Sequence, residues 1–146
     1  MHVPIGNETL IVDLLDDFRV EQNDDGSTFA YLPGKDFAEV YFSVLTITSP
    51  VPTESDLGYD GIVMQAAQDG ESAVIIDGKS VYETKSESRR RGGKRRVHQW
   101  YVGYRNYAVV ITVTILARLY DDPVTTKVLL LIPDVIRSIR EHSSEV

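Results

Sequence analysis

Six cations stand within eight residues at Arg89-Arg90-Arg91-Gly92-Gly93-Lys94-Arg95-Arg96, around a glycine pair. Like charges this close repel one another and stay in water, and the glycines supply the freedom a tight turn needs. Such a tip can dock on an acidic partner or contact phosphates, and a solvated loop explains the same residues without any partner. Asp13, Asp16 and Asp17 form a second cluster. Paired carboxylates can perform acid–base chemistry. Here nothing nearby supplies a raised pKa, a phosphate cradle or a nucleophile. The three carboxylates therefore read as a solvated turn, or as a contact surface for a basic partner.

Other chemistry is excluded by residue type or spacing. There is no cysteine, hence no disulfide, thiolate zinc site, iron–sulfur cluster or cysteine nucleophile. Of the three histidines, His2 and His142 lie at ends expected to fray, and His98 shares a strand face with Trp100, Val102 and Tyr104. No two have metal-ligand spacing. Glu21-x-Asn23-x-Asp25-Gly26 imitates the start of a calcium loop, but Leu32 stands where the bidentate glutamate belongs, and a hairpin turn explains the residues better. Phosphate loops, nucleophile elbows and zinc motifs are absent. The chain is expected to be non-enzymatic, with no catalytic, metal or cofactor-binding residues.

Charge is unevenly distributed. The net is −7 overall, −13 over residues 1–84, +6 over residues 85–96 and zero over residues 97–146. An acidic body repels nucleic acid over most of its surface and speeds encounter with a basic protein. No apolar run approaches the roughly 20 residues that span a bilayer, and the opening MHVPIGNETL lacks a basic-then-apolar signal. The expectation is a cytoplasmic protein without membrane contact.

The 146 residues are one-domain length, and 42% hydrophobic with 25% charged residues suits a core that needs no staples. Residues 10–15 and 18–21 read as strands, followed by a turn at Asn23-Asp24-Asp25-Gly26 and a returning strand over 27–32. Residues 36–49 are apolar on both faces (Ala38, Val40, Phe42 and Val44 against Phe37, Tyr41, Leu45 and Ile47), which predicts a central strand covered on both sides. A helix is expected over 53–68, opened by Thr53 and Asp56, with Gly58 and Gly61 each weakening it by roughly 1 kcal/mol. A meander follows: strands over 72–76, 79–87, 97–104 and 107–118, with the basic tip between the second and third. Asp121 or Asp122 with Pro123 opens a last helix carrying Val128, Leu131, Ile132, Val135 and Ile139. Pro133 predicts a kink or two shorter helices.

With these elements in order, the chain resembles the PsbP/Mog-like family, which includes the DcrB-like proteins. The resemblance rests on DLLDDFRVEQNDDG (13–26), FAYLPG (29–34), AEVYFSVLTI (38–47), HQWYVGYRNYAVVITVTI (98–115) and VIRSIRE (135–141). It implies an α+β fold: one domain over 1–146, an α/β/α sandwich with a twisted antiparallel sheet of six to seven strands and helices on both faces. Members act mostly as binding modules, some on a small GTPase, some beside a photosystem, some beside secreted bacterial toxins. A small, acidic, cysteine-free chain resembles the last kind, an immunity protein of the type found with type VI secretion. The implied partner is a cognate toxin whose active cleft it occludes. Contacts would fall on Arg89, Arg90, Arg91, Lys94, Arg95 and Arg96, or on Asp13, Asp16, Asp17, Asp24 and Asp25. A small-ligand or nucleic-acid carrier using the basic hairpin is the alternative.

Overall fold

The computed structural model describes residues 1–33, 39–51, 53–90 and 93–142. Among these residues ten strands and two α-helices follow in the order β1 (His2–Ile5), β2 (Leu10–Asp13), β3 (Arg19–Gln22), β4 (Thr28–Tyr31), β5 (Glu39–Thr46), α1 (Leu57–Gln68), β6 (Val74–Ile76), β7 (Lys79–Arg90), β8 (Gly93–Tyr104), β9 (Tyr107–Leu116), α2 (Pro123–Ser138) and β10 (Arg140–Glu141). A seven-stranded antiparallel sheet has the order β3-β4-β5-β9-β8-β7-β6. A separate three-stranded sheet has the order β1-β2-β10. The first strands thus do not extend the main sheet.

Strand alternation decides which side chains meet. Val40, Phe42, Val81, Trp100, Val102, Val109, Ile111, Val113 and Ile115 point to one face, called inner here. They share a core with Val3, Ile5, Leu10 and Val12 of the small sheet and with Val128, Ile132, Val135, Ile136 and Ile139 of the α2 region. The residues between them point outward. At one end of that outer face Tyr82, Tyr101 and Ala108 pack with Ile62 and Ala66 of α1. The crossing is close because Gly58 and Gly103 lack side chains: a Cβ on Gly58 would stand 2.2 Å from the Tyr107 carbonyl oxygen.

Several local expectations are corrected. On β5, Val40 and Phe42 are buried, but Tyr41 and Leu45 are 39% and 64% exposed, so this strand is not covered on both sides. An apolar side chain on a sheet does not by itself bring a covering layer. The part of that strand expected over 36–38 lies outside the described residues. Helix α1 starts at Leu57 rather than Thr53, and Asp56 makes no side-chain cap. The Leu57 N–H donates instead to the Asn106 side chain (3.2 Å), because the β8–β9 turn reaches the helix start. Helix α2 runs through Pro133 as one element, with the buried Ile132, Val135 and Ile136 seating it on the core on both sides of the proline. Asp122 caps it, accepting from Val124 N at 2.8 Å. Neither terminal histidine is frayed: His2 lies in β1 against Asp13, and His142 N donates to the Thr9 carbonyl.

Candidate functional site

The basic stretch is mostly ladder, not loop. Strands β7 and β8 pair continuously from Ser80↔Gly103 to Arg89↔Lys94 and Arg90↔Gly93. Most of the expected eight-residue tip is therefore paired strand, up to Arg90 and again from Gly93. Residues 91–92, and with them the prediction for Arg91, lie outside the described residues. Alternation separates the remaining cations. Arg96 turns to the inner face, 3.6 Å from Glu87, with its guanidinium 4.0 Å above the Tyr120 ring. Arg95 turns outward and is half-buried. Arg89 and Lys94 are exposed. Among the described side chains the predicted patch is thus divided, with Arg96 paired and Arg89 and Lys94 exposed; the side chain of Arg90 lies outside them.

Below Arg96 on the inner face stand His98, Glu83 and Lys85. His98 is 7% exposed, stacks beside Trp100 and has Nδ1 3.5 Å from a Glu83 carboxylate oxygen. Burial pushes its pKa down, and the Glu83 carboxylate opposes that in part. Its Nε2 is buried without a hydrogen-bond partner among the described residues. Lys79, at the other end of β7, is also buried, and its ammonium donates to the Arg137 carbonyl at 3.2 Å. It thereby meets the negative end of α2. Burial lowers its pKa.

The aspartates do not form one cluster. Asp13 ends β2, where its carboxylate accepts from His2 and from Arg140 at 3.2 Å. Those bonds, His2 first, hold its pKa below the usual carboxylate range. Asp16 pairs with the N-terminal ammonium at 3.0 Å. Asp17 lies apart, lining a surface recess together with Leu32, Pro33, Val124 and Lys127. Asp25 belongs to the β3–β4 turn, where the Ser27 hydroxyl and N–H bind its carboxylate (2.6 and 2.9 Å) and hold its pKa low. This is turn chemistry. Among the described residues no three acidic or histidine side chains are grouped to hold a metal ion, and no helix is long and apolar enough to cross a membrane.

Two features escaped the sequence reading. On the outer face Phe29 lies 5.3 Å from Tyr31 and 4.8 Å from Tyr41, centroid to centroid. Alternation in β4 and β5 was the available signal, but exposure was not. The second is an apolar cavity of about 260 Å³ between α2 and the segment joining β2 to β3, lined by Leu14, Phe18, Val40, Val128, Leu131 and Val135 among others. Its residues come from three parts of the chain, 13–18, Val40 and α2, and the apolar ones look like ordinary core.

No family model matches this sequence, and no curated protein is significantly similar to it. A crystal structure of a Bacteroides thetaiotaomicron protein, at 1.50 Å resolution, superposes with a TM-score of 0.70 at 15% identity. The match covers 98% of this chain and 48% of that one, so this chain spans about half that protein's length. At that identity the likeness is one of fold. The solution structure of a cyanobacterial PsbP from Synechocystis aligns over 97% of this chain and 91% of its own, at 10% identity and a TM-score of 0.44.

Proposed function

We propose that this chain is a non-enzymatic protein-binding module, and more narrowly an immunity protein that occludes the active cleft of a cognate toxin. The observation that carries the reading is the β7–β8 hairpin. A continuous antiparallel ladder delivers Arg89 and Lys94 as a preformed basic wedge on a chain of net charge −7. Strands already paired lose little conformational entropy on entering a cleft. Opposite fields on body and wedge would orient an encounter with a partner whose cleft is acidic. The toxin step rests on the family resemblance drawn from the sequence.

The test is a tagged capture from the source organism, with wild type and with Arg89→Glu/Lys94→Glu. The expected result is one stoichiometric protein, lost on charge reversal, whose expression is toxic unless this chain accompanies it. A partner retained by the reversed variant removes the wedge from the account. A nucleic-acid carrier is the second reading, favoured by the Phe29, Tyr31 and Tyr41 rings on the same sheet face as Arg95, since bases stack on such rings. Capture of nucleic acid with a steep salt dependence would put that reading first.

A further inference from the structure

The apolar cavity is independent of the hairpin. Protein interiors are packed to the density of organic crystals. Here a space of about 260 Å³ is walled by Phe18, Val128 and Ile132, which are 6%, 1% and 2% exposed. Other recesses on this molecule have volumes of 240–340 Å³, but polar or mixed linings. Lining rather than size sets this one apart. An open recess with a mostly apolar wall favours apolar molecules over water.

The mouth says which apolar molecules. Among the described lining residues the polar side chains are Asp13, Asp134 and Ser138. All three are engaged. Asp13 is held by His2 and Arg140, and Asp134 accepts from Arg137 at 2.7 Å. Ser138 Oγ donates to the Val135 carbonyl and accepts from Asp13 N. An anion entering here would face two carboxylates, and a cation would share them with Arg140 and Arg137. Either would also lose its hydration to the apolar wall. The geometry points to a binding site for a small uncharged apolar ligand, a single aromatic ring or branched hydrocarbon of roughly six to ten carbons. A hydroxyl at the mouth is compatible with it.

The test uses the full chain and three isosteric probes, toluene, benzoate and benzylammonium, followed by amide shifts in a nitrogen–proton NMR titration. The expected result is saturable shifts with toluene in residues 14–18 and in α2, with both charged probes weaker by about tenfold or more. Val135→Phe places a ring in the cavity and should abolish the toluene response while leaving the rest of the spectrum folded. Should that variant fail to fold, Leu131→Phe enters from the half-buried side and decides the matter. No saturable shift up to the solubility of toluene would overturn the site, as would an unchanged response in the filled variant. Equal binding of a charged probe would overturn the ligand class.

Discussion

Gly58 and Gly61 occupy the same helix three residues apart, and the structure predicts opposite effects for the same substitution. In Gly58→Ala the new methyl would lie 2.2 Å from the Tyr107 carbonyl oxygen and 2.6 Å from the Tyr107 carbonyl carbon and amide nitrogen. These are backbone atoms of β9 and cannot swing aside. Helix α1 would have to retreat by roughly 1 Å to reach ordinary contact distance. That retreat strains the hydrogen bonds from Gly58 N and Tyr59 N to the Arg105 carbonyl (2.8 and 3.2 Å) and from Ser80 Oγ to the Tyr59 carbonyl (2.9 Å). Overpacking costs about 1–3 kcal/mol and each hydrogen bond about 1 kcal/mol, against a gain of about 1 kcal/mol in helix propensity. The net expectation is a loss of roughly 3 kcal/mol, near 10 °C in Tm for a chain of this size. At Gly61 the added methyl meets only Ile47 Cδ1, at 3.7 Å, so the propensity gain stands and Gly61→Ala should stabilise by about 0.5–1 kcal/mol. Urea unfolding followed through the fluorescence of the single, buried Trp100 measures both. A Gly58→Ala midpoint at or above wild type would refute the close-crossing argument, as would equal losses in the two variants.

His98 is held neutral by burial, its folded pKa below the free value of 6.5. The unfolded chain therefore binds the extra proton first, and stability falls as pH drops from above 6.5 toward the folded value. His98→Gln should flatten that part of the urea-midpoint profile between pH 7.5 and 5.5. Asp13 gives a separate acid limb. Its lowered pKa contributes stability above 3.8 that is lost as pH falls through the folded value. Because the pair is half-exposed, Asp13→Asn should cost under about 1 kcal/mol at pH 7. Asp122→Ala removes the α2 cap and should cost about 1 kcal/mol in the same denaturation assay. Tyr82 donates to Asp69 at 3.0 Å, and burial together with that carboxylate pushes its pKa up to about 12. An alkaline absorbance titration should show a late phenol step that Tyr82→Phe removes.

Elements whose signals are local were legible from the residues alone. The alternation of Val109, Ile111, Val113 and Ile115 against Val110, Thr112 and Thr114 placed β9 correctly, since period-two patterning needs only a strand with one buried side. Asp122-Pro123 gave the start of α2 because capping is decided within three residues. The Asp77-Gly78 turn was legible for the same reason, with both residues at positive φ. What the sequence could not decide depended on partners far along the chain. Asp13 looked like one of three like-charged neighbours, but Arg140, 127 residues on, claims its carboxylate. Arg89 to Arg96 read as a single cationic loop until strand pairing sent Arg96 to Tyr120 and Arg95 to the opposite face. Tyr41 and Leu45 read as buried because their residue types favour burial, whereas α1 covers only one end of the outer face. Gly58 read as a defect in a helix, and only the passage of Tyr107 beneath it makes the missing side chain the condition for the two layers to meet. Charge pairing, exposure and close approach are properties of neighbours in space, and in an antiparallel fold most of those neighbours are brought together by pairing across the sheet.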